Sequence, residues 1–341
     1  MKALRWLAGS LYLLGAVAAA HAHHSYTEFD RERTVEIEGT LVAVKWQNPH
    51  TQIEVRVADS REPVVWDIET GSVNSMRRQN APLDTFKVGE VVKVAGWPSK
   101  RSAARMYATN VLGGEHELRF QTAVQRWPGT KIYSEAFNAA TSVAARGTPT
   151  LFRVWSMDRN DPDTRPGFLN RHEYSLTDAA KQAVAAFDPV TQSVSSGCTP
   201  KGMPLLMGQP FPIEFEDRGD TILLRLEEYD AVRTIHLAEA AQRAPQEASP
   251  LGRSLGHWDN GALVVETDLI DTPYFSSTGI PISKAARTLE RFSLSNDGRR
   301  LVYNLTVIDP ATFTAPAHAM RAWAARDGEQ VLPFDCKAPR Y

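Results

Sequence analysis

The stretch Gly256-His257-Trp258-Asp259-Asn260-Gly261-Ala262-Leu263-Val264-Val265-Glu266-Thr267 sets the tightest limit on what this chain can fold into. Asn260-Gly261 supplies two residues that tolerate positive φ, as a type I′ hairpin turn demands. Leu263-Val264-Val265, just beyond the turn, is β-branched and apolar enough to be buried in a sheet. Strand-like runs recur on both sides: Ile213–Glu216, Thr221–Glu228, Val232–Leu237, Ser254–Trp258, Ala262–Asp268, Arg287–Ser295 and Arg300–Ile308, with Ala317–Ala325 a weaker eighth. Turn residues separate them at Asp217-Arg218-Gly219-Asp220 and Asn296-Asp297-Gly298. Sequential hairpins of this kind predict an antiparallel curved sheet or up-and-down barrel over residues 196–341.

The N-terminal part is also mainly β. Thr34–Trp46, Thr51–Ala58, Val64–Glu69, Val91–Trp97 and Met106–Leu112 are strand-like, and the alternation in the first slips at Gly39, where a bulge or bend is expected. Ser72 can cap a short helix over 72–79. Five strands, a bent first strand and a helix between the third and fourth suggest a small OB-like barrel over residues 23–115. Residues 116–195 are punctuated by proline and read as a linker region. Its one helix carries Leu176, Ala180, Val184 and Phe187 on one face, with Thr177 as cap and Pro189 as stop.

Residues 1–22 carry Lys2 and Arg5, an apolar run from Trp6 to Ala20, and the small-x-small signal Ala20-His21-Ala22. They read as a secretory signal peptide, too short for a membrane span, which implies a periplasmic or secreted protein with no span after cleavage. Export permits a disulfide, and the 2 cysteines, Cys198 and Cys336, would close a very long loop. The chain-entropy estimate for such a bridge is about 4 kcal/mol. A net charge of −2 leaves no global basic footprint, so nucleic acid is not expected as a partner.

His23-His24-Ser25-Tyr26, Phe29-Asp30, Glu38-Gly39-Thr40, Trp46-Gln47-Asn48-Pro49-His50 and Val88-Gly89 together resemble an uncharacterised family of exported bacterial proteins, one that opens with His-His-Ser and carries Asn-Pro-His. The C-terminal half is similar to a second uncharacterised exported family. The resemblance rests on Cys198-Thr199-Pro200-Lys201-Gly202-Met203-Pro204, Glu227-Glu228, Arg233-Thr234-Ile235, Gly252–Trp258, Leu263–Thr267, Glu290-Arg291-Phe292, Asp309-Pro310, Phe313-Thr314 and Cys336. His257 departs from it, because related chains commonly place Arg there. Neither resemblance implies an activity.

Two places could carry chemistry. Cleavage after Ala22 frees the His23 amine beside the imidazoles of His23 and His24, a nitrogen-rich donor set suited to Cu(II). His50 could add a further imidazole if the Asn48-Pro49-His50 turn folds back over the first strand. Cleavage after Ala20 gives His21-Ala22-His23 instead, a square-planar arrangement of amine, amides and imidazole. The bland alternative is a chance run of histidines. Trp46, Trp66 and Trp97 could form an aromatic platform, or simply pack the small barrel.

The second place is the C-terminal sheet. Glu228 shares strand parity with Ile222 and Leu224, Arg233 with Ile235, Glu266 with Val264, and Glu290 with Phe292. If the apolar residues face inward, these four charges follow them. With His257 at the hairpin edge they form a candidate ligand site. The structural alternative is Glu–Arg pairs that fix register. Arg225 and Arg291 should point outward. No nucleophile elbow, phosphate-binding glycine loop or His-Glu-x-x-His is present.

The leading expectation is therefore an exported binding protein for copper, an unknown small ligand or a protein partner. A periplasmic hydrolase-like enzyme using the C-terminal carboxylates is the alternative, and a structural or assembly module is a third reading.

Overall fold

The structure, a computed structural model, describes residues 28–58, 62–120, 123–133, 150–158, 161–189, 191–194, 198–326 and 328–337. The expected signal peptide and His23 and His24 lie outside the described residues.

The N-terminal unit is built from β1 (Val35–Lys45), β2 (Gln52–Val57), β3 (Val64–Glu69), α1 (Val73–Arg78), β4 (Val91–Pro98) and β5 (Arg105–Gly113). The order β3-β2-β1-β4-β5 closes through a parallel β3–β5 pairing, an OB-like barrel with α1 between the third and fourth strands. β1 is long enough to serve two neighbours: Val35–Thr40 pairs with β4, and Thr40–Lys45 with β2, with a register shift between Leu41 and Ala43. Gly39 sits at this change of partner. A Cβ there would lie 2.4 Å from the Arg56 carbonyl oxygen, so a larger residue would push β2 away. Inside are Leu41, Ile53, Val55, Ile68, Val92, Val94, Met106 and Val111. The expected aromatic platform is divided. Trp46 stacks on Phe86 at 6.1 Å, Trp97 stacks on Tyr107 at 5.6 Å, and Trp66 packs against the core.

The region expected as linker contributes strands to both units. β6 (His116–Arg119) and β7 (Lys131–Ile132) extend the first sheet beyond β5. β8 (Val154–Ser156) joins the second barrel, and α2 (Asp178–Ala186) follows, with Thr177 Oγ1 accepting from the Ala180 N–H. Three residues are too few to show a periodicity, so β8 was invisible as a pattern.

The C-terminal unit is a closed barrel of β8 with β9 (Ile213–Asp217), β10 (Thr221–Leu226), β11 (Ala231–Leu237), β12 (Arg253–Asp259), β13 (Ala262–Asp268), β14 (Arg287–Leu294), β15 (Arg300–Ile308) and β16 (Ala317–Ala325). β8 closes it, pairing with both β16 and β9. Asn260 and Gly261 hold φ of 48° and 78°, the positive values expected of the β12–β13 turn. The up-and-down expectation needs one correction: β11 and β12 run parallel. Residues 238–252 form a crossover long enough for the chain to re-enter from the same end, which a tight hairpin cannot do.

The bore is filled. Phe215, Ile222, Leu224, Leu263, Val265, Phe292, Tyr303 and Trp323 belong to one buried cluster with Phe168, Leu206 and Met207 from outside the strands. Phe168 meets Tyr303 edge-on at 5.8 Å. The fully buried Arg321 donates to the carbonyls of Met207 and Gln209 at 2.6 and 2.8 Å, which fastens this plug to β16.

The expected inward cluster of four charges needs correcting. Arg233 and Glu290 meet inside the barrel as a buried ion pair. Glu266 is exposed, because Leu263 and Val265 face inward and Glu266 takes the outward parity of Val264. His257 pairs with Val264 and is exposed for the same reason. Three consecutive apolar residues gave no indication of which parity was internal. Glu228 never inherits the parity of β10, since that strand ends at Leu226 and the chain turns, with Tyr229 and Asp230 at φ of 61° and 52°. Arg225 and Arg291 point outward, toward Glu216 and Asp259.

Candidate functional site at the junction of the barrels

Asn48 of the first resemblance and Lys201, Glu227, Glu228 and Cys336 of the second lie at the junction between the barrels. Asn48 sits in the turn after β1. Its Oδ1 accepts from the Asn74 N–H at 3.3 Å, and its side-chain amide donates to the Phe334 carbonyl. Asn74 and Arg78 are presented by α1, whose N-terminus is set by Ser72 Oγ accepting from the Ser75 N–H at 3.0 Å. Both reach Glu227: Asn74 Nδ2 lies 3.0 Å from Oε1, and Arg78 binds both carboxylate oxygens. Glu227 is fully buried, so this fork compensates a charge that could not otherwise leave water. Its neighbour Glu228 receives Lys201 Nζ at 2.8 and 2.9 Å. The bridge between Cys198 and Cys336 closes this edge, with Cα atoms 5.7 Å apart.

His50 lies on the OB-like side of the junction. Its Nδ1 is 3.0 Å from the Thr70 carbonyl oxygen, which can only accept, so Nδ1 carries the proton and Nε2 presents its lone pair. Nε2 is 3.6 Å from Glu69 Oε1. Arg105 Nη2 holds the other Glu69 oxygen at 3.1 Å, Arg105 Nε holds Glu28 at 3.0 Å, and Nη1 binds Asp67. Glu69 ends β3 and Arg105 starts β5, so the parallel pairing that closes the small barrel is what places them together.

Burial dominates the electrostatics here. It pulls His50 down to about 4, a fall that the Thr70 carbonyl resists and Lys201 assists. It pushes Glu69 up to about 8, against the pull of Arg105. A neutral imidazole whose Nδ1–H is fixed by a backbone carbonyl, leaving the Nε2 lone pair available, is how metal-ligating histidines are oriented. Among the described residues no group of three His, Cys, Asp or Glu gathers around one point that could hold a metal. The described chain supplies His50 and Glu69. His23 and His24, the other expected ligands, lie outside it.

The barrel interior has a different character. Arg233 donates to both Glu290 oxygens and, through Nε, to Ser254 Oγ at 2.9 Å. Tyr303 donates to Glu290 Oε1 at 2.8 Å, and Thr267 to Oε2 at 3.1 Å. Burial, reinforced by Glu290, drives the Tyr303 hydroxyl well above its ordinary pKa, so it stays a donor. The pair is fully buried, with Phe168 packed on its partner Tyr303, while Glu228 is held by Lys201 at the junction and Glu266 and His257 are exposed. The residues proposed for an enzyme are thus not brought into one cleft.

Glu69, Asn74, Arg78, Arg105 and Lys201 were missed as site residues. The usable signals were Glu227-Glu228 at a strand end and the Asn-Pro-His turn, but Glu227 meets Arg78 and Asn74 across 149 and 153 positions, and Lys201–Glu228 and Glu69–Arg105 across 27 and 36, so no local pattern remains.

Residues 12–107 match a family of unknown function, DUF6152. No curated protein matches the chain. Among solved structures, a mitochondrial single-stranded DNA binding protein of S. cerevisiae, Rim1, is 8% identical with a TM-score of 0.20, over 24% of this chain and 92% of its own. The yeast Stn1 and Ten1 structure is 14% identical with a TM-score of 0.18, over 24% of this chain and 42% of its own. At such scores the OB-like assignment rests on the strand connections alone. Among the described residues no helix is long and apolar enough to cross a membrane.

Proposed function

We propose that this chain is an exported binding protein that holds a divalent transition metal of the copper type where its mature N-terminal segment meets His50 and Glu69. The observation that carries the reading is His50 itself, half-buried, with Nδ1 tied to the Thr70 carbonyl and Nε2 turned toward Glu69. The N-terminal segment is within reach. Glu28 is anchored on the same Arg105 that holds Glu69. His24 precedes it by four residues, a span of at most about 14 Å in an extended chain. Cleavage after Ala22 would add the His23 amine and two imidazoles to His50, a donor set that favours Cu(II) over harder cations.

Titrating Cu(II) into the matured protein, and into a form extended by an N-terminal tag, tests the role of the amine. One equivalent should bind the matured form, at least tenfold more tightly than the tagged form. Failure of the matured form to bind would end the proposal, and equal affinities would remove the amine from the site.

A second reading, an assembly module without a small ligand, draws its support from the plugged bore and the fully paired Arg233–Glu290 network. It predicts no Cu(II) binding in either form.

A further inference from the structure

After β16 the chain does not stop at the barrel. Residues 329–337 run back between the two barrels and join no strand of either, apart from one isolated bridge between Cys336 and Asn48. On the OB-like side this strap is gripped by α1 and the turn after β1. Arg78 Nε binds Glu329 at 2.6 Å, Arg78 Nη2 donates to the Gln330 carbonyl at 3.0 Å, and Asn74 Nδ2 to the Pro333 carbonyl at 3.1 Å. Asn48 donates to the Phe334 carbonyl and accepts from the Lys337 N–H. On the other side the Leu332 N–H donates to Glu227 at 2.8 Å and the Phe334 N–H to Asp230 at 2.9 Å. The Phe334 ring is fully buried between Phe211 and Tyr229, each 5.2 Å away.

Phe334 is the one large apolar anchor in the strap. Its neighbours Val331 and Leu332 are only half-buried, and Pro333 and Asp335 are exposed. The rest of its hold is the Arg78–Glu329 ion pair and hydrogen bonds, and the net worth of a hydrogen bond is comparable to the entropy lost in ordering one residue. What fixes the strap's end is covalent: Cys336 is bonded to Cys198, 138 positions earlier.

We infer that the Cys198–Cys336 bond is a latch on this strap. With the bond formed, the strap stays in the junction and the barrels behave as one body. With it reduced, the strap leaves the junction and each barrel keeps its own fold, still joined through the direct contacts of Asn74 and Arg78 with Glu227. The release needs a dithiol. One thiolate attacks a bridge sulfur and forms a mixed disulfide, and the second thiol displaces the remaining half. Two electrons pass to Cys198 and Cys336, which end as protonated thiols, and the dithiol ends as a disulfide. The latch is independent of the metal reading, because no strap contact named above involves His50 or Glu69.

Hydrogen exchange on the matured, folded protein tests it, before and after reduction by dithiothreitol and alkylation of the freed thiols. Reduction should speed exchange at least tenfold over 329–337 and 72–80, and leave the amides of β12 to β15 unchanged. Cys336→Ser should reproduce the local pattern, and reduction of already folded protein gives the answer even if that variant fails to fold. An unchanged strap would show that the junction holds itself. Faster exchange throughout β9 to β16 would show that the bond staples the barrel. Either result overturns the inference.

Discussion

Arg233 and Glu290 persist inside a filled barrel because every polar atom of the pair has a partner: Ser254, Thr267, Tyr303 and each other. Removing the cation leaves a buried carboxylate without compensation. Arg233→Ala should therefore lower stability by about 3–5 kcal/mol, whereas replacing both residues together by apolar ones of similar volume should recover most of that loss. Urea unfolding of the single and double variants measures both. An unaltered Arg233→Ala midpoint would mean that the pair is not buried in solution. His50 and Glu69 make a pH prediction for metal-free protein. His50 is held at about 4 against 6.5 in the unfolded chain, so its contribution is present above 6.5 and lost as pH falls. Glu69 is raised to about 8 from 4.5, so its contribution is present below 4.5 and lost as pH rises through 8. Arg105 opposes the rise of Glu69 while Glu28 and Asp67 add to it, and Lys201 adds to the fall of His50 while Glu228 opposes it. Between 4.5 and 6.5 the two slopes cancel; above 6.5 only Glu69 acts. Unfolding free energy should fall by about 2 kcal/mol from pH 6.5 to pH 8, and Glu69→Gln should flatten that fall. A wild-type profile already flat over this range would contradict the burial of Glu69.

At the scale of elements, α1 matters beyond its six residues because it carries Asn74 and Arg78 into the junction. Ser72→Ala removes its N-terminal cap and should cost about 1 kcal/mol. The loss should appear first as faster amide exchange over 72–80, and uniform acceleration across the OB-like barrel would show that the cap does not act locally. Ser72 as cap and the Asn260-Gly261 turn were legible in the sequence, because each is a local conformational demand that few residue types meet; the irregularity expected at Gly39 falls two residues on, between Leu41 and Ala43. The strands were legible where polar and apolar residues alternate, as in Ile213–Asp217. Where alternation fails, so does the inference of facing: Leu263-Val264-Val265 hid the fact that Glu266 and His257 point outward, and the turn after Leu226 took Glu228 out of the barrel. β8 and the parallel β11–β12 pair are set by tertiary closure, which no short window contains.

For the whole molecule, the sequence marked the parts of the candidate site but not that they are one site. Asn48, Glu227, Lys201 and Cys336 lie in motifs far apart along the chain. They meet because a closed small barrel, a plugged larger barrel and a returning C-terminal strap come together at this seam. The functional account depends on what His50 does at that seam. The direct measurement is continuous-wave electron paramagnetic resonance of the matured protein with one equivalent of Cu(II), compared with His50→Ala. The account predicts a nitrogen-rich type 2 spectrum in the wild type and a changed nitrogen hyperfine pattern with at least tenfold weaker binding in the variant. Identical spectra and affinities in the two proteins would contradict it.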